Sequence, residues 1–291
     1  MSVVVADGSP RARELRQVSA VKMDVVRRSV RAIEPITRRY FRSEVRAMER
    51  VPKGQTIIVA HHDGGVLPLN GICFGVEWYR HFDFRRPIYV LTHDLIHDLA
   101  GLVPGVKPLF EDSGLIRADR AMMDSALATG ASVLVFPGAA RETFRTYRRR
   151  REIDLGHRAG FVAQAIRWRL PITPVVTAGS HETVIVLARG HRLAKALGID
   201  KLVRSADVLP LQLGLPWGLW ALPFLPQLPL PAKMTTEILE PIWLPDALGM
   251  KLEPSHADDK ALVEAGFRIV LAKMRATLDR LYDERTWPIF G

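Results

Sequence analysis

Two short runs of β-branched and apolar residues break straight into turns loaded with polar groups, and they constrain the fold of this chain most. VAHHDGGVLPLNG runs from Val59 to Gly71, and VLVFPGAARE from Val133 to Glu142. An apolar run of this length, closed by Gly or Pro, reads as a buried strand. A strand that ends in polar turn residues delivers reactive groups to the rim of a sheet. His61 and His62 leave the first strand; Arg141 and Glu142 follow the second, beside Pro137-Gly138. A base on one loop and a charged clamp on another is a layout for an enzyme.

The rest of the chain alternates around these two strands. Residues 43–49, 56–60, 87–91, 132–136, 172–177 and 234–239 read as strands. Residues 69–80, 118–129, 158–168 and 258–282 read as helices, with Gly130 closing the second. Strands separated by helices predict an α/β fold: a single layered domain with a mainly parallel central sheet flanked by helices. An N-terminal helix is predicted from about Arg11 to Ile36, because Val18, Val21, Val26, Val30 and Ile33 form one apolar stripe that ends at Pro35. The predicted division is a basic amphipathic region over 1–39, a helical appendage, and an α/β domain over 40–291. The appendage has two readings: a solvated helix, or one resting on anionic lipid.

Charge narrows the partners. The net charge of +10 is mostly arginine and favours phosphates or an anionic membrane surface. Nucleic acid is not expected, since no nucleic-acid motif accompanies the basic tracts. The single cysteine, Cys73, excludes an intrachain disulfide framework and fits cytosolic exposure. No secretory signal is visible at the start of the chain. Residues 208–232 form a long uncharged stretch, but six prolines interrupt it and argue against a spanning helix. A membrane-facing loop or a buried crossover is expected there.

Among single residues, His62 is the candidate general base and Arg141 a candidate clamp for phosphate or carboxylate. Glu142 is placed to orient a hydroxyl, and Arg120 opens a helix behind Gly114. His93 and His97 stand four apart in THDLIHD, a spacing compatible with zinc, yet with no third ligand nearby; no metal is expected. Ser180-His181 lacks the flanking glycines of a nucleophile elbow.

The segments VAHHDGGVLPLNG, GLIRADR, VLVFPGAARE, LGHRAGFVAQA and LPITPVVTAGSHE resemble, in order, blocks of the glycerolipid acyltransferase superfamily, which includes the lysophosphatidate acyltransferases and a diacylglycerol acyltransferase-like branch. The resemblance covers roughly residues 40–243. It implies transfer of a fatty acyl group from acyl-CoA or acyl-carrier protein to a glycerolipid or related hydroxyl, with a histidine base and no cofactor beyond that co-substrate. It also implies a peripheral protein on the cytoplasmic face of the membrane. His62 matches the base of the family's His-x-x-x-x-Asp motif. Arg120 matches the arginine of the second block, and Phe136, Pro137 and Gly138 the block that lines the acceptor pocket.

Two departures from the family pattern stand out. No aspartate follows His62 at the usual distance; the aligned position is Asn70, and Asp63 is the other candidate orienter. Asparagine can fix the ring's tautomer but cannot stabilise an imidazolium by charge. FPGAARE also lacks the glutamate that usually follows the proline, a form that resembles the branch acting on neutral acylglycerols. The alternative reading is a non-catalytic or weakly active lipid-binding protein of the same fold.

Overall fold

The computed structural model describes residues 18–65, 67–102, 104–190, 209–221 and 228–287, without the side chains at 94, 95, 99, 140 and 141. Its centre is a seven-stranded sheet in the order β1-β10-β6-β2-β5-β3-β4. These strands are β1 (Glu44–Arg46), β2 (Ile57–Ala60), β3 (Ile88–Thr92), β4 (Leu115–Arg117), β5 (Ser132–Val135), β6 (Ile172–Ala178) and β10 (Thr235–Ile238). All neighbours run parallel except β10 against β6. The predicted class and sheet stand.

Alternation along the strands assigns each side chain to a layer. Ile57 and Val59 of β2 and Val133 and Val135 of β5 face one core, shared with α5 (Arg120–Ala128), α7 (Gly160–Trp168) and α9 (Lys260–Asp283). Ile58, Ala60 and Leu134 face the other, shared with α1 (Met23–Pro35) and α2 (Leu69–His81). Helix ends follow local chemistry. Asp119 caps α5 by accepting the Met122 amide at 2.8 Å, and Gly130 takes φ +83° just past its end.

Two expectations change here. The apolar stripe of α1 does not face lipid: Val26 and Val30 are buried against α2 and the sheet. Residues 1–17, the start of the predicted appendage, lie outside the described residues. The described part of 208–232 is neither a loop nor a crossover alone. It supplies β8 (Leu211–Gly214) and β9 (Gly218–Trp220), which join β7 (Ile185–Ala188) in an antiparallel three-stranded sheet. Leu215, Pro216 and Trp217 make the β8–β9 turn, closed by Gly218 at φ +71°, so Pro216 falls in the turn and interrupts no strand.

Candidate active site

The parallel strands β2, β5, β3 and β4 and the neighbouring β6 end on one rim, and the polar turns of the sequence gather there. His61 and His62 have different fates. The His61 ring accepts the Thr177 amide on Nε2 at 3.0 Å and donates from Nδ1 to the His62 carbonyl at 3.0 Å. Both nitrogens are therefore spent, and the ring is buried. His62 alternates to the other face, where its ring lies 5.0 Å from that of Phe136. Burial, then the charges of Arg145 and Arg158, hold its pKa down at about 4. At neutral pH it is an uncharged imidazole, able to accept a proton.

The His62 main chain is held from beneath. Its N–H donates to Glu142 Oε2 at 3.0 Å. Glu142 Oε1 accepts Arg145 Nη1 at 3.1 Å and the Asp154 amide at 3.1 Å. Arg145 Nη2 donates to His181 Nε2 at 2.6 Å. A guanidinium only donates, so His181 carries its proton on Nδ1, and the 3.0 Å approach of its Nε2 to the His62 carbonyl is a packing contact. Glu142 and Arg145 are both wholly buried. Burial pushes the Glu142 carboxyl up to about 7, against the pull of Arg145 and two amides. A Cβ on Gly138 would overlap the Glu142 carboxylate, which explains the glycine. The carboxylate absent after Pro137 thus returns to that place from Glu142, one turn of chain later.

Neither candidate orienter reaches the His62 ring as expected. Asn70 Nδ2 donates to the His61 carbonyl at 2.6 Å, and its Oδ1 accepts the Gly71 amide at 2.8 Å. Asn70 ties the first turn of α2 to the end of β2. Asp63 Oδ2 accepts the Asn70 amide at 3.2 Å, and burial raises the carboxyl to about 8. A carboxyl that is neutral at pH 7 lends no charge to an imidazolium. The Phe136 carbonyl is the backbone acceptor beside the His62 ring. Asn70→Asp should therefore not raise activity. It sets a carboxylate oxygen against the His61 carbonyl, and a loss of about 1–3 kcal/mol in denaturant unfolding is expected.

The other sequence candidates scatter along the rim. Glu142 has no surface open to a substrate hydroxyl, which corrects its expected contact with the acceptor. The Arg141 side chain lies outside the described residues. Arg120 is exposed, 4.0 Å from Asp124, at the start of α5. The strand that precedes it, β4, is three places from β2, roughly 14 Å at normal strand spacing. Pro137 accepts Arg158 Nη1 on its carbonyl at 3.4 Å. The Gly65 amide is spent on the Thr143 carbonyl at 3.0 Å. Among the described residues the amides of Gly64 and Gly138 have no acceptor. A small cleft, with room for little more than a water molecule, lies beside Phe136, lined also by Ala60, Asn70, Phe74, Leu134, Val175 and Thr177.

Arg145, Arg158 and His181 were not expected to matter. Arg145 stands three residues after Glu142, a helical spacing that brings opposite charges together. Nothing in the sequence pointed to His181 as its partner. His97 is engaged with Thr92 Oγ1 at 2.7 Å, and no metal-binding group exists among the described residues. Ser180 is buried.

Residues 42–178 match the model of the Acyltransferase family. That match and the rim just described make the chain similar to the glycerolipid acyltransferases. Its similarity to particular proteins runs in three directions. An uncharacterized protein of Mycobacterium tuberculosis is 28% identical over 265 residues, 89% of this chain and 68% of that one. A chicken (Gallus gallus) protein named "DGAT1/2-independent enzyme synthesizing storage lipids" is 28% identical over 147 residues, 50% of this chain and 41% of that one. The crystal structure of the 1-acyl-sn-glycerophosphate acyltransferase PlsC from Thermotoga maritima superposes with a TM-score of 0.51 at 14% identity, covering 90% of this chain and 83% of that one.

Proposed function

We propose that this acyltransferase moves a fatty acyl group from a thioester, acyl-CoA or acyl-carrier protein, to a glycerolipid or related hydroxyl at a membrane surface, with His62 as general base. The observation that carries this reading is an uncharged imidazole on the sheet rim, its ring tilted against that of Phe136 beside a small cleft. His62 takes the acceptor's proton as its oxygen attacks the thioester carbonyl. The amides of Gly64 and Gly138 stabilise the oxyanion. Collapse of the tetrahedral intermediate expels the thiolate, which takes the proton back from the imidazolium. Arg158, with Arg120 and Arg141, holds anionic groups of donor or acceptor, and Pro137 forms part of the acceptor wall.

FPGAARE and the storage-lipid name of the chicken relative together favour a neutral acylglycerol as acceptor. The protein acts at the cytoplasmic face without spanning the bilayer; no helix among the described residues is long and apolar enough to cross one. A second reading, a lipid-binding protein with little activity, draws on the absence, among the described residues, of a carboxylate paired with the His62 ring. An acyl-CoA consumption assay decides between them. Glycerol-3-phosphate, lysophosphatidate, mono- and diacylglycerol and a long-chain alcohol are offered in turn. Turnover is expected with the acylglycerols; no turnover with any acceptor, using either donor carrier, would leave the binding reading.

A further inference from the structure

The small sheet β7–β8–β9 has one side in the protein and one side in the open. Val186, Gln212 and Trp220 point inward and are buried. Their neighbours alternate outward: Leu213 and Leu219, paired across the strands, are 41% and 59% exposed, and Trp217 at the turn is 53% exposed. Leu215 and Leu228 form a bridge at the sheet's end and are equally open, and Leu187 extends the surface on β7. A contiguous apolar surface of this kind on a folded chain marks a contact.

Charge says what the contact is. In the run Tyr147-Arg148-Arg149-Arg150-Arg151, the turn Tyr147–Arg149 packs against β7. Within it Arg149 and Arg151 pair with Glu152 and Asp283, whereas Arg148 is exposed with no ion pair among the described residues. On the opposite flank Tyr40 donates to the Pro229 carbonyl at 2.6 Å, and Arg42 to that of Pro231 at 2.8 Å. That places Arg39, exposed and likewise without an ion pair among the described residues, next to the extended segment that follows Leu228. Leucines and a tryptophan between arginines fit a bilayer with anionic headgroups, into which the apolar groups sink while the cations stay at the phosphates.

The small sheet also adjoins the candidate site. A Cβ on Gly64 would come within 2.8 Å of the Val184 carbonyl, one residue before β7, and β7 follows the turn that carries His181. We propose that the outer face of the β7–β8–β9 sheet docks this protein on an anionic lipid bilayer and opens the His62 rim toward it. The N-terminal helix does not serve this purpose, because its apolar stripe is consumed by the core. For its biological purpose the inference rests on the acyl-transfer reading, but binding can be measured with no reaction at all.

The test is flotation of the full chain with phosphatidylcholine vesicles, with and without phosphatidylglycerol. The wild-type protein is expected to float with the mixed vesicles. Leu213→Ser with Leu219→Ser is expected to weaken partition about tenfold or more, at an unchanged melting temperature. Arg39→Ala with Arg148→Ala should weaken binding to the mixed vesicles only. Equal partition of wild type and serine variant overturns the proposal, as does wild type that stays in solution. A dimer in light scattering that the serine variant dissolves also overturns it, by giving the face to a second copy of the chain. Where the serine variant melts early, the emission of Trp217, read as the difference from Trp217→Phe, decides. Quenching by brominated lipid supports insertion, and its absence overturns it. Vesicle binding without acyl transfer to any acceptor would sink the proposed reaction and leave the docking face in place.

Discussion

His62→Ala should lower acyl transfer by at least about 10³, within the range expected for loss of a general base, while leaving the melting curve unchanged. The fold tolerates the loss because the ring lies at the rim and the groups that anchor this residue are its main-chain N–H and carbonyl. The pH profile is a sharper check than the rate alone. A base must be neutral to act, so kcat/KM falls as pH drops through its pKa. An ordinary histidine would place that limb near 6.5; burial and the Arg145 and Arg158 charges place it near 4. Wild-type activity should persist at pH 5.5. Arg158→Ala removes one of the two cations and should move the limb upward. A limb already at 6.5 in the wild type, or an alanine variant with normal turnover, would remove His62 from the mechanism.

The sequence disclosed the frame of this site better than its wiring. β2 and β5 were legible because Ile57 to Ala60 and Ser132 to Val135 are uniformly buried, and turn residues stop both abruptly. His62 was legible as the residue just past such a stop. Which of two adjacent histidines stays open depends on strand alternation and on the Thr177 amide of a distant strand, and no local pattern carries that. The role of Asn70 was misread for the same reason. Alignment put it where a ring partner belongs, while its actual partners are the His61 carbonyl and the Gly71 amide. The amphipathic stripe of α1 was correctly seen, but amphipathicity does not say whether the apolar side meets lipid or protein. Conversely, the proline-rich segment concealed two strands, since the periodicity of three or four residues is too short to stand out.

Glu142 should be the second most sensitive position. Removing a carboxylate that is buried with Arg145 leaves an uncompensated cation in the interior, so Glu142→Ala is expected to cost about 3–5 kcal/mol in denaturant unfolding. It also releases the His62 N–H, and turnover should fall with it. Stability and positioning are separable here, because the pair can be replaced by apolar groups of similar volume at little cost. Glu142→Leu combined with Arg145→Met should therefore recover most of the lost stability but not the lost turnover. Gly138→Ala approaches the same carboxylate from the other side: its methyl group overlaps Glu142 and should depress kcat. In the Glu142→Ala background that methyl has room, so the two changes should combine with less than additive effect. Fully additive losses, or a double variant Glu142→Leu/Arg145→Met with normal turnover, would reduce the buried pair to a support of the fold with no hold on the base.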